Sequence, residues 1–393
     1  MNVFLAVVFA SLVSRLGYQM ARSPVLPAFA TDLGAGPELL GVIVAASTIT
    51  GVFFKLPAGT LSDMLGRKRM MVLGALFFAF PPFLYPLVND PWSLLALRFV
   101  HGFATAIFSP VAAAYVAGLR EQGRGARLGW FASANDIGAT GGPMIGGFLL
   151  YFTASYPVTY LTVGGLGVLT LAIVLLLPDI EPARVRETKT FRQRLAEFRQ
   201  GVAEVLSVPP ILIASSIEAV MYFGYAAFLG FLPIYAKQAG LNDAEIALVL
   251  GAQLVAAMLV KPLAGSLSDR FSRKPVIIVG LLFCVAALPL IFRSESFTAF
   301  ALMSALLGIG VGTVTPVTNA LIADLASAKR LGAAMGVFGT VFDFGEAMGP
   351  IVAGFLIGSV GYAVTFDILA ALTLAATVLL MFVVRAPGAA SAR

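Results

Sequence analysis

Of 393 residues, 59% are hydrophobic and only 12% are charged, about half the charged share usual in a soluble chain, which excludes a water-soluble globular protein. Twelve membrane spans of about 20 residues each would occupy most of such a chain, leaving no room for an ordinary soluble catalytic domain of about 100–150 residues. A single cysteine, Cys284, and a single histidine, His101, exclude a disulfide framework and a Cys- or His-based metal cluster, and the net charge of +6 lies in short loops rather than in the exposed patch that nucleic acid needs.

Apolar runs broken by Gly, Pro and charge predict twelve spans: 3–30, 38–58, 70–88, 91–118, 128–152, 158–177, 209–236, 244–266, 275–292, 298–326, 332–358 and 363–385. The first run has neither a basic leader nor a small-residue cleavage site, so it is expected to be a retained span. Residues 179–207 change composition abruptly and divide the chain into an N-terminal six-helix bundle, 1–178, and a C-terminal one, 208–393. Within that linker Phe191, Leu195 and Phe198 recur at helical spacing among arginines, a pattern open to two readings, an amphipathic helix on the membrane surface or a solvated connector. With both termini cytoplasmic, 19 basic residues fall inside, against Lys237 and Arg293 outside, the asymmetry of the positive-inside rule.

The chain repeats itself. KLPAGTLSDMLGRKRMMVLG at 55–74 recurs as KPLAGSLSDRFSRKPVIIVG at 261–280, and DIGATGGPMIGGF at 136–148 recurs as DFGEAMGPIVAGF at 343–355, displaced by 206 and 207 residues. A repeat of six spans returns the chain to the same side, so the halves are parallel and related by an axis along the membrane normal. The expected fold is therefore an all-α membrane protein of twelve transmembrane helices in two pseudo-symmetric six-helix bundles.

Charge inside a span is costly and marks a functional candidate by default. Arg98 and His101 lie one turn apart in the fourth span, and Arg15, Gln19 and Arg22 share one face of the first; these five are the solute-cavity candidates. Glu218 sits about 13 Å into the seventh span, and Asp136, Asp343 and Glu346 lie in the fifth and eleventh. These four acids are the candidates for proton coupling, with Glu218 first because its counterpart across the repeat is Leu12. Asp136 and Asp343 match each other, so a shared packing role competes with coupling there. Lys55 and Lys261 are read as snorkelling toward the cytoplasmic surface.

Over its whole length the chain resembles the major facilitator superfamily, and most closely its twelve-helix drug and proton antiporters. GTLSDMLGRKR at 59–69 is similar to the family's loop signature, departing at Met64 where a basic residue is usual; LALRFVHGFATA at 95–106 is similar to its fourth-helix motif, with His101 where Gln is more frequent; GATGGPMIGGF at 138–148 resembles the fifth-helix signature. The resemblance implies a gating role for Gly59, Asp63, Gly66, Arg67 and Lys68, with Asp269 and Arg273 in the second copy, and antiport for Gly138, Gly142, Pro143, Gly146 and Gly147. Physically, the loop charges suit either a latch between two states or a topology anchor. The glycines suit close helix packing, and Pro143 suits a kink.

The function expected is proton-coupled export of a small amphipathic or organic solute by alternating access, in the plasma membrane, by a monomer with solute, protons and lipid as partners. Uptake by symport or uniport, and a non-transporting receptor or scaffold, are the alternatives. No cofactor, metal or enzymatic activity is expected, and no GxxxxGK[ST] loop that would cradle a nucleotide is present.

Overall fold

A computed structural model describes residues 2–119, 123–179, 209–326 and 331–383; the linker core at 180–208 and the side chain of Asp63 lie outside the described residues. Among the described residues, side-chain caps start five of the helices. Asn2 caps α1 (Val3–Arg22) by accepting from Phe4 N at 3.1 Å, and Asp90 caps α5 (Pro91–Gly118) by accepting from Trp92 N and Ser93 N at 2.9 and 3.0 Å. The Ser93 hydroxyl and these amides together hold the exposed Asp90 carboxyl below its usual range. Ser155 opens α7 (Tyr156–Leu176) and Ser296 opens α11 (Phe297–Leu325). At α9 (Asp243–Phe271), Asn242 accepts from Ala244 N and Glu245 N while Glu245 reaches back to Asn242 N at 2.9 Å, a reciprocal cap that satisfies otherwise orphaned donors.

The remaining helices are α2 (Val25–Asp32), α3 (Pro37–Leu65), α4 (Arg67–Ala79) followed by a 3₁₀ turn at Pro81–Leu87, α6 (Arg124–Thr153), α8 (Pro209–Gln238), α10 (Arg273–Ile291) and α12 (Leu331–Val383). Among the described residues, ten segments are long and apolar enough to cross a membrane. Two details bring this to the expected twelve: α12 is two helices meeting at Gly361, whose φ of 79° is non-helical, and the 30-residue α6 falls outside the ten. The span expected at 3–30 is broken at Ser23–Pro24 into α1 and α2, because proline cannot donate to the preceding turn.

The chain divides into two compact units, Met1–Phe191 with Gly240–Ala247, and Arg192–Ala239 with Leu248–Arg393. Each is built on the same close helix crossings. In the first unit, a Cβ on Gly138, Gly142 or Gly146 of α6 would stand 2.8 Å from Leu12 O, 2.7 Å from Leu16 O or 2.7 Å from Met20 O of α1. In the second unit, Gly345 and Gly349 of α12 lie against the Ala219 and Phe223 carbonyls of α8 in the same way. Only glycine lets two backbones approach so closely. Gly147, which the sequence places on the same face, points instead at Ala247 and Pro24, where a Cβ would meet Ala247 Cβ at 2.5 Å and Pro24 Cγ at 3.1 Å, since one residue is about 100° of rotation.

A second crossing also repeats. Gly102 of α5 packs on Ser47 and Thr50 of α3, and Gly308 of α11, 206 residues on, packs on Gln253 of α9. At the repeated turns Gly66 (φ 95°, ψ 137°) separates α3 from α4, and Ser272 (φ 78°, ψ 156°) separates α9 from α10. The turn is thus kept although its glycine is not. Gly59, expected in that turn, lies inside α3 with nothing against its missing side chain.

Candidate solute and proton sites

In the first unit Arg98 and His101 are both fully buried on α5. Arg98 Nη2 donates to Ser47 Oγ at 2.8 Å, and the guanidinium lies 5.6 Å from the centre of the Tyr18 ring. His101 Nδ1 is 3.2 Å from the Tyr85 hydroxyl and its ring meets Tyr18 edge-on at 5.1 Å. Tyr85 in turn stacks on Tyr160 at 4.0 Å. The result is a cage of three tyrosines, a serine and a histidine around one permanent cation. Arg98 Nε and Nη1, and His101 Nε2, have no hydrogen-bond partner. Arg15, Gln19 and Arg22 are half-buried. The stems of Arg15 and Gln19 lie against Gly138 and Gly142, so that face of α1 meets protein.

In the second unit Glu218 is fully buried on α8 and neither carboxyl oxygen has a hydrogen-bond partner. Thr318 and Thr315 of α11 lie beside it, but their hydroxyls are engaged elsewhere, Thr318 with Val314 O at 3.0 Å and Thr315 with Tyr222 at 3.2 Å. Tyr222 packs edge-on against Phe342 and Tyr225, and Tyr225 donates to Gln253 Oε1 at 3.2 Å. Asp343 is buried, while Glu346 and Asp136 are half-buried. Of the four candidate acids, Glu218 is the most deeply buried and neither of its oxygens makes a hydrogen bond, while the other three each have an interaction with a neighbour.

The repeated loop motif is asymmetric in its contacts. In the second copy Arg273 pairs with Asp269 one turn away and with Asp324 of α11 at 3.0 Å. In the first, Arg67 Nη1 donates to Ala114 O at 2.8 Å and lies against Gly118, the position 206 residues before Asp324. Lys68 is half-buried. Lys55 does not run toward the Gly66 end as a snorkelling lysine would; its stem folds back over Gly51. At the other end of the second unit, Arg293 binds Asp367 through both nitrogens at 2.8 and 2.6 Å.

Sequence reasoning missed Ser47, Tyr18, Tyr85 and Tyr160 around Arg98, and Tyr222, Gln253 and Thr315 near Glu218. Gln253, a lone amide in an apolar span, was the available signal, as was the alignment of Asp324 with Gly118.

Sequence comparison with known families matches the model described as Major Facilitator Superfamily over residues 7–242 and 214–393. The chain belongs to this superfamily. It is 26% identical over 391 residues to multidrug resistance protein 1 of Bacillus subtilis, covering 98% of this chain and 97% of that protein. It is 24% identical over 336 residues to quinolone resistance protein NorA of Staphylococcus aureus, covering 85% and 84%. An uncharacterized MFS-type transporter of Methanocaldococcus jannaschii is 25% identical over 343 residues, covering 87% and 88%. Among solved structures, the nucleoside transporter NupG superposes with a TM-score of 0.74 at 15% identity, covering 97% of this chain and 98% of that one. A bacterial homolog of the human lysosomal transporter Spinster gives 0.78 at 15% identity, covering 96% and 94%. These two likenesses establish the fold alone. The superfamily assignment makes the chain a multi-pass membrane transporter rather than an enzyme.

Proposed function

We propose that the chain is a proton-coupled antiporter that exports a small amphipathic organic solute by alternating access, with Glu218 carrying the proton. The observation that carries this reading is Glu218 itself: fully buried, with both oxygens unpartnered. An ionised carboxylate so enclosed is uncompensated by several kcal/mol, so the unit that holds it distinguishes sharply between the proton-bound and proton-free forms. A conformational equilibrium biased by that difference is what coupling requires. Export is supported by the drug-resistance names of the relatives in B. subtilis and S. aureus, and amphipathic solutes by the aromatic side chains bordering both buried sites.

The orientation proposed puts both termini in the cytoplasm of a cell with this chain in its plasma membrane, as the distribution of Lys and Arg favours. Asp269, Arg273 and Asp324 would then form a cytoplasmic latch, and the α1/α6 glycine seam would resist leak through the first unit. The chain is proposed to act as a monomer. Purified protein in liposomes, given a quinolone under an imposed pH gradient of either sign, tests the function. Solute movement opposite to protons supports antiport, movement with protons makes the chain a symporter, and movement indifferent to the gradient makes it a uniporter.

A further inference from the structure

The Arg98 cage has an excess of donors. A guanidinium carries five N–H groups and accepts nothing; here one meets Ser47, while the three on Nε and Nη1 meet no acceptor. His101 shares one hydrogen bond with Tyr85 through Nδ1 and its Nε2 has no partner; in the tautomer where Tyr85 is the donor, Nε2 carries the imidazole proton and is a fourth unused donor beside the same cation. No Asp or Glu pairs with Arg98 among the described residues; tyrosine hydroxyls are its neighbours. One hydrogen bond and the face of Tyr18 do not replace the water a buried cation gives up.

Packing does not require the arginine. Across the repeat, Ser304 holds the position of Arg98 and Gln253 that of Ser47, and the α9/α11 crossing closes just as tightly over Gly308 as the α3/α5 crossing does over Gly102. The cation is therefore an addition to a crossing that forms without it.

We propose that the cage is an anion-binding site for the carboxylate group of a small organic acid or acid-bearing solute, held by the unpaired N–H groups of the Arg98 guanidinium and by His101, which donates through Nε2 in the tautomer where Tyr85 gives its proton to Nδ1. A carboxylate oxygen accepts a charge-assisted hydrogen bond from the guanidinium, and a single negative charge balances the positive charge of Arg98 in a dry site. The inference rests on the alternating-access reading, because a fully buried cage exchanges its anion only when the surrounding helices part.

The test is equilibrium binding by calorimetry and thermal shift, with full-length protein in detergent and no proton gradient. Benzoate is the probe, benzamide its uncharged counterpart, and chloride the free monoanion. Benzoate should bind and raise the melting temperature, benzamide should do neither, and chloride should not displace benzoate at equal concentration. Arg98→Gln should weaken benzoate at least ~10-fold, the loss of a charge-assisted pair. His101→Phe, which keeps a ring in place, should weaken it about threefold, a single neutral hydrogen bond, and decides the matter if Arg98→Gln does not fold. Binding is read without a proton gradient and coupling is read with one, so a failure of proton coupling and a failure of this site are separable. Benzoate bound equally by Arg98→Gln or by His101→Phe, benzamide binding as well as benzoate, chloride competing one for one, or a folded parent with no benzoate binding would each overturn the carboxylate assignment.

Discussion

Gly142→Ala puts a methyl group into the tightest part of the α1/α6 seam. Its Cβ would lie 2.6 Å from Gln19 Cβ, 2.7 Å from Leu16 O and 3.0 Å from Met20 N, and two of these three atoms are backbone that no rotamer change can move. Ordinary contact begins near 3.4 Å, so the helices must part by about 0.7 Å. A gap of that size costs a quarter to a half of each dispersion contact along the seam, and Gly138 and Gly146 lie on the same face. Overpacking of this kind costs about 1–3 kcal/mol. With rigid backbone opposite, the upper end applies, less roughly 1 kcal/mol returned by the better helix propensity of alanine. The net is about 2 kcal/mol, or roughly 4–8 °C in melting temperature for a unit of this size. Gly129→Ala in the same helix has nothing within 4 Å of the new methyl and should be neutral or slightly stabilising. Melting both variants beside the parent in detergent, followed by size exclusion of the heated samples, measures the difference. Equal melting of Gly142→Ala and parent, or equal loss in both variants, would refute the close-packed seam.

Three further outcomes are expected. Ser272→Gly should raise stability by about 1 kcal/mol by relieving a backbone region that side chains rarely occupy, while Gly66→Ala should lower it by about 1–3 kcal/mol although its methyl meets nothing; chemical denaturation of both shows whether the signs are opposite. Asp324→Asn removes one arm of a part-exposed pair, so melting should move by less than about 1 kcal/mol, while turnover in liposomes should change several-fold; unchanged turnover would leave the motif as an anchor only. Single cysteines at Lys68 and Gln238, on a Cys284→Ala background, should react with an impermeant thiol reagent from opposite sides, Lys68 from the cytoplasm; the reverse pattern would invert the topology.

The helices were legible where a cap or breaker stands beside an apolar run. Asp90–Pro91 and Gly118 bound α5 at the expected residues, and the repeats foretold two like bundles because matched glycines must meet matched backbones. The break at Ser23–Pro24 was missed because Val25–Ala30 continues the apolar run beyond it. Arg98 and Glu218 stood out as charge in oil. Their surroundings did not, because Tyr18, Tyr85 and Tyr160 come from three separate elements, and an aromatic residue in a span reads as filler until packing turns its hydroxyl inward. The Arg273–Asp324 pair escaped for a related reason: its two members are 51 residues apart, and only the alignment of Asp324 with Gly118 hints that the halves differ there.

The coupling role of Glu218 is tested most directly by proton movement driven by solute alone. Liposomes carrying the protein and a trapped pH-sensitive dye, with equal pH on both sides, receive transported solute on one face. The parent should show protons moving opposite to the solute. Glu218→Gln, neutral at every pH and nearly the same size, should show none while still exchanging labelled solute for unlabelled. Proton movement of parent magnitude through Glu218→Gln would contradict the account and pass the coupling role to Asp136, Asp343 or Glu346.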